Sequence, residues 1–216
     1  MRELRLSLLL LPLAAALAAC QTAPGPRAAA APAASVEIEP EEDWRRIALP
    51  EHASISEDLP PLFARLAAAP RRAAADRALL DAENLLPAPT PAPGAYRCRI
   101  VRLPGAATAA RRERGAPRPA FCFVGAEGER LSLTLETPAR RLGGYLWPSA
   151  DGRRMVFLGA GFAPPARTAP AYSAAAGGNT AGLFERIGDF RYRLAVRGTS
   201  PGTIDVYELI AAPAER

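Results

Sequence analysis

From Tyr96 onward the chain alternates between apolar and polar positions. Tyr96, Cys98 and Ile100 fall on one face of an extended segment, and Arg97 and Arg99 fall on the other, which is the period-two pattern of a half-buried strand. Leu131, Leu133 and Leu135 alternate with Ser132, Thr134 and Glu136 in the same way. Phe190, Tyr192, Leu194 and Val196 alternate against Arg191, Arg193 and Arg197. Phe121 and Phe123 flank Cys122 ahead of a turn over residues 125–129. Residues 145–147 and 155–158 are separated by Pro-Ser-Ala-Asp-Gly, a hairpin signal through Asp151-Gly152. The Gly- and Ala-rich residues 161–179 read as a mobile loop, and residues 204–209 read as the last strand. Seven or eight strands in an antiparallel meander over residues 95–211 predict a small barrel, lipocalin- or avidin-like, with helices at one end; a sandwich is the alternative.

The texture before this β domain is different. Leu59, Leu62, Phe63 and Leu66 recur at helical spacing behind Ser54 and Ser56, which can cap a helix start. A second short helix is expected after Pro70, carrying Ala74, Leu79, Leu80 and Ala82 and ending near Asn84. Residues 44–86 are thus a short helical segment whose narrow apolar stripes need something larger to pack on. Residues 87–94, Pro-Ala-Pro-Thr-Pro-Ala-Pro-Gly, break any helix, because each proline removes a donor and clashes with the preceding turn.

The first residues carry an address. Arg2 and Arg5 precede an apolar run over residues 6–17, the charged and apolar regions of a secretory signal. This run is shorter than the roughly 20 residues a membrane span requires. It closes on Leu17-Ala18-Ala19-Cys20, which resembles the site read by lipoprotein signal peptidase. Residues 1–19 are therefore expected to be removed and Cys20 to be lipidated. Residues 20–43, rich in Ala and Pro, would then be a tether. Anchoring by acyl chains is stable when two or three are present. Gln21 stands where an aspartate would resemble an inner-membrane retention signal; by that resemblance the expected place is the outer membrane, facing the periplasm.

Charge and cysteine count narrow this further. All 27 basic residues are arginine and the net charge is +5. Loss of Arg2, Arg5 and Glu3 with the signal lowers it by one. Acidic residues are spread among the arginines, which does not suit nucleic acid as a partner. With Cys20 lipidated, Cys98 and Cys122 remain, and in an oxidising compartment a structural disulfide is expected. A metal site or redox pair is the alternative, but the chain has one histidine, His52, and no C-x-x-C spacing. No metal or cofactor is expected.

An ordered set of motifs resembles a known family. The set comprises Pro93-Gly94-Ala95-Tyr96-Arg97-Cys98-Arg99, Phe121-Cys122, Gly143-Gly144-Tyr145-Leu146-Trp147-Pro148, Met155-Val156-Phe157-Leu158-Gly159, Glu185-Arg186-Ile187-Gly188 and Asp205-Val206-Tyr207-Glu208-Leu209. Together these are similar to the domain of unknown function 4893 family, over about residues 44–209. The resemblance implies an alphaproteobacterial envelope lipoprotein and brings no activity. Thr137-Pro138-Ala139-Arg140-Arg141-Leu142 departs from the family pattern.

Among candidate chemical groups, His52 reads as a solvated loop residue lacking a nucleophile and an orienting acid at any informative spacing. Glu41-Glu42-Asp43 reads as a solvated acidic run. Gly159-Ala160-Gly161 and Gly177-Gly178-Asn179 lack phosphate-loop spacing and read as loops. Arg97, Arg99, Arg191 and Arg193 project from strand faces opposite the apolar positions, and on neighbouring strands they would form a stripe able to hold carboxylates or phosphates. The function this predicts is a non-catalytic binding or interaction module, tethered to a membrane by lipid. Its partner would be a small apolar ligand, an envelope polymer or a periplasmic protein. The alternative is a carboxylate-dependent hydrolase of envelope material.

Overall fold

The computed structural model describes residues 44–68, 76–103, 120–138 and 140–212. Eight strands follow one another around a closed antiparallel barrel: β1 (Gly94–Leu103), β2 (Ala120–Glu127), β3 (Arg130–Glu136), β4 (Arg141–Pro148), β5 (Arg154–Phe162), β6 (Asn179–Gly188), β7 (Arg191–Arg197) and β8 (Ile204–Ala211). The β1–β8 pairing from Tyr96↔Ala211 to Leu103↔Ile204 closes the circle and leaves no free sheet edge. The barrel expected from alternation is therefore present, and the sandwich is not.

The interior is lined from every strand. Tyr96 and Cys98, Cys122 and Val124, Leu133 and Leu135, Leu142 and Leu146, Met155 and Phe157, Phe184, Tyr192 and Leu194, and Tyr207 and Leu209 form one buried cluster. Eight strands enclose a space that side chains can fill. Close approaches complete the filling. Gly144 and Gly159 are cross-strand partners, and a Cβ at Gly159 would lie 2.5 Å from the Phe157 ring. That ring takes the space a side chain would have occupied.

A second cluster lies outside the barrel. The outward residues Val156, Leu158, Ala181, Leu183, Ala195 and Val206 are apolar and pack against the helical segment. That segment comprises α1 (Trp44–Ile47), a 3-10 turn at Pro50–His52, α2 (Ile55–Ala67) and α3 (Arg77–Leu80). Ile55, Leu59, Phe63 and Leu66 bury one stripe of α2. Burying such side chains contributes roughly 1.5–3 kcal/mol each, which carries a helix containing Pro60 and Pro61 in its interior. The helices therefore lie along the outer wall at β6 and β7, where an end position was expected, because the apolar outward residues are there.

Burial on both faces explains why β6 escapes detection by alternation. Six consecutive residues of β5 are buried, and six consecutive residues of β6 likewise, whereas β2 alternates strictly over its first five positions. Gly159-Ala160-Gly161 lies within β5, not in a loop. Phe190 is not a strand residue but occupies the β6–β7 turn at φ 52°. The expected second helix ends at Leu80, four residues early, where Asp81 turns extended; its expected start lies outside the described residues.

The long β5–β6 connection follows a defined course. Tyr172 accepts a hydrogen bond from the Leu49 amide at 2.9 Å. The Asn179 amide donates to the carbonyls of Ser173 and Ala176 at 2.7 and 2.6 Å. Ala169 sits over Gly143 of β4, 2.8 Å from where a Cβ would be.

Cys98 and Cys122 form a disulfide inside the barrel, with Cα atoms 6.0 Å apart. It joins β1 to β2 diagonally, since Cys98 pairs in register with Ala120 and Tyr96 with Cys122. In the chain-entropy account a loop of this length contributes roughly 3–4 kcal/mol. The Cys98→Ser/Cys122→Ser double variant is expected to lose about that much in urea unfolding without reductant. Adding reductant should bring the parent protein down to the same curve and leave the variant unmoved.

Candidate functional site

The four arginines of the expected stripe come together on the outer wall, but in two rows of different character. In the first row Arg99 of β1 stands opposite Glu208 of β8, which stands opposite Arg193 of β7. Arg193 in turn stands opposite Glu185 of β6, and Glu185 opposite Arg154 of β5. Charge thus alternates across five consecutive strands. Such cross-strand pairs of opposite charge are mutually stabilising.

Three of the four neighbouring pairs in this ladder are ion pairs; in place of Arg193, Glu208 takes Arg191 from the adjoining row. Glu208 accepts from Nε of Arg99 and, at 2.6 Å, from Nε of Arg191. Glu185 accepts from Nε of Arg193 and, at 2.8 Å, from Nε of Arg154. Asp76, ahead of α3, takes the far side of Arg99, and Asp151 takes the far side of Arg154 at 2.8 Å. The guanidiniums of Arg99, Arg154, Arg191 and Arg193 are therefore balanced by the carboxylates of Asp76, Asp151, Glu185 and Glu208. Burial alone would lower the Arg99 and Arg154 pKa values, but the hydrogen bonds to these carboxylates raise both.

Arg193 is the most enclosed member, at 1% exposure. Its guanidinium donates to the carbonyls of Leu79, at 3.1 Å, and Asp81, and it lies 4.7 Å from the centre of the Phe63 ring. Orphan carbonyls at a helix end need donors, and here a barrel arginine supplies them. Asn84 ties the same corner by donating to Ala78 of α3 and Ile187 of β6 at 3.2 and 3.1 Å. Beside the ladder is a cleft of about 30 Å³ between α2 and the wall, lined by Leu59, Phe63, Leu183 and Arg193 among others. It has room for one or two water molecules.

The second row is open to solvent. Arg97 stands between Phe121 of β2 and Ile210 of β8, and Ile210 stands opposite Arg191. Arg97 is exposed and makes no ion pair with a described residue. Phe121 is 51% exposed, Phe123 48%, Ile210 38%, and Phe190, in the adjoining turn, 65%. With Cys122 turned inward to its disulfide, the alternation of β2 forces both phenylalanines out.

Two further polar groups lie away from this wall. Asp205 is 2% exposed and receives Nε of Arg102 and an Arg140 nitrogen, each at 3.2 Å. Near them the Tyr207 hydroxyl is enclosed without a hydrogen-bond partner among the described residues, and burial drives its pKa well up. His52 is not the solvated loop residue expected: its Nδ1 is 2.7 Å from the Tyr172 hydroxyl. Burial lowers its pKa, Glu51 opposes this, and Arg197 adds to it. Neutral His52 suits the geometry, with Nδ1 accepting the hydroxyl proton while the Tyr172 oxygen accepts the Leu49 amide. Cys20 and Glu41-Glu42-Asp43 lie outside the described residues.

These arrangements serve structure before chemistry. A carboxylate gripped by two guanidiniums is a poor general base, because taking a proton would break both pairs. Sequence alone misses the partners Asp76, Glu185 and Glu208. Glu208 carries a usable signal: a lone acid in Val206-Tyr207-Glu208-Leu209-Ile210 marks a charge that a strand will bury, and which therefore needs a partner.

Such features define a class: a closed eight-stranded antiparallel barrel, stapled by one disulfide and clad on one wall by helices that pack on its apolar outer residues and meet a buried arginine of the wall. Within that class the chain belongs to the domain of unknown function family DUF4893, whose model matches residues 44–209. No curated protein matches the chain, and no solved structure does.

Two outcomes follow from this geometry. Arg193→Leu leaves buried Glu185 with Arg154 alone and removes the donor to the Leu79 and Asp81 carbonyls, and is expected to cost about 3 kcal/mol in urea unfolding; pairing it with Glu185→Leu should recover part of that. Because folding lowers the His52 pKa, the folded state binds fewer protons, so this contribution is full above the unfolded value of about 6.5 and is lost as pH falls through the folded value. The signal of the single histidine in a proton NMR titration should therefore have a midpoint below that of the unfolded chain, and Arg197→Gln should raise it.

Proposed function

We propose that this chain is a membrane-anchored envelope lipoprotein, tethered in the periplasm through acyl chains on Cys20, and that its barrel is a non-catalytic binding and interaction module. The anchor reading is supported by Arg2 and Arg5, the apolar run after them, and Leu17-Ala18-Ala19-Cys20. The disulfide is compatible with an oxidising compartment.

The observation that carries the binding reading is the open row on the outer wall. Phe121 and Phe123 each expose about half their surface, side by side with Arg97. Large apolar side chains exposed together beside a cation are the composition of a contact surface. The interior is lined by the barrel's own buried side chains, whereas the large apolar residues that are exposed lie on the outer face.

Mass spectrometry of the chain purified from its host tests the anchor: the expected species starts at Cys20 and carries diacylglycerol, and an intact amino terminus or a bare thiol would sink it. A photo-crosslinking residue at position 121 tests the face. It should capture a partner molecule in intact cells, while the same residue at Thr199, in the β7–β8 turn, captures none. Equal yields at both positions would count against a dedicated surface.

A further inference from the structure

Resting on the reading of the barrel as a tethered module, we infer that the Phe121–Phe123 face seats directly on an anionic phospholipid surface, with its aromatic rings at the headgroup level and Arg97 on a lipid phosphate. Position, charge and reach converge on it. The apolar residues share one end of one wall: Phe121, Arg97, Ile210 and Arg191 run level across β2, β1, β8 and β7. Phe123 stands beside exposed Ala95, and the Phe190 carbonyl takes the amide of Ala211, next to Ile210.

The charge of the patch also suits a bilayer. Arg99, Arg191 and Arg193 are each bound to carboxylates, whereas Arg97, at the centre of the aromatic row, has no carboxylate among the described residues. A guanidinium free to fork onto a phosphate, ringed by side chains that partition into the acyl boundary, is the chemistry of an interfacial contact. No helix of the described residues is long and apolar enough to cross a membrane, and an interfacial contact requires none.

Chain length keeps the two surfaces together. Only 23 residues separate Cys20 from Trp44, so the barrel cannot leave an anchored Cys20 by more than about 80 Å. A face confined so close to a bilayer meets it at high effective concentration, and weak contacts then suffice.

The test places a tryptophan on the face of the full chain, purified from its host and reconstituted in phosphatidylglycerol-containing vesicles. Native Trp44 and Trp147 are buried, at 1% and 7% exposure, and provide a constant background. In the Phe121→Trp variant the added emission should be at least about twofold weaker in vesicles with brominated acyl chains than in plain ones. In the Thr199→Trp variant it should not change. Adding Arg97→Ala should weaken the Phe121→Trp response about fivefold in an equilibrium titration against anionic lipid content. Equal quenching at both positions, or none at either, overturns the proposal, and so does capture of a protein from position 121 without lipid quenching. Failure of the anchor is read separately, from the mass of Cys20. If that thiol is bare, the same two variants mixed with vesicles still decide the matter, since quenching confined to position 121 supports the lipid contact and any other pattern overturns it.

Discussion

The guanidinium of Arg193 is enclosed between the barrel wall and the helical layer, and the structure on that side is organised around satisfying it. A buried cation left alone would cost several kcal/mol. Here Glu185 supplies the opposite charge, Leu79 of α3 and Asp81 just beyond it supply carbonyls, and Phe63 covers the plane of the group. These partners come from β6, from the end of α3 and from α2. Satisfying one side chain therefore fixes the place where α3 stops, the height of α2 on the wall and the relative register of β6 and β7. The ladder extends this logic outward on both sides, to Arg154 and Asp151 at one end and to Arg99 and Asp76 at the other.

Because apolar burial is not directional, it could hold the helices against the wall in several ways. Val156, Leu183 and Ala195 offer a smooth surface to Leu59 and Phe63. The bonds from Arg193 to the Leu79 and Asp81 carbonyls and the Arg99–Asp76 ion pair choose among those ways, since a shift by one turn of helix would break them. Inside the barrel the selection is steric instead, with Phe157 filling the space above Gly159. The disulfide adds a covalent constraint between β1 and β2, which pair over five positions where β1 and β8 pair over eight.

Much of this was legible in the residues themselves. Strict alternation located β1, β3 and β7, Asp151-Gly152 located a hairpin, and the spacing of Leu59, Phe63 and Leu66 located α2. What escaped has physical causes. Strand β6 has no polar face to alternate with, because helices cover one side and the barrel core the other. The partners of the arginines lie up to 109 residues away in the chain, beyond any local pattern. Alternation showed that Arg97, Arg99, Arg191 and Arg193 face outward, but only the register shows that three of them are neutralised while Arg97 has no carboxylate partner among the described residues. Tyr172, which pins the β5–β6 connection to His52, sits in a stretch whose composition suggested nothing but mobility.

The uneven cladding of the barrel has a consequence for how this chain can change over time. On β2, alternate positions meet water and can exchange one side chain for another with little effect on the fold. On β5, β6 and β7 nearly every position is enclosed on one side or the other, so each substitution there must be matched by a neighbour. The two halves of one sheet should therefore drift at different rates, with the clad half preserving the fold and the bare half free to acquire new surfaces.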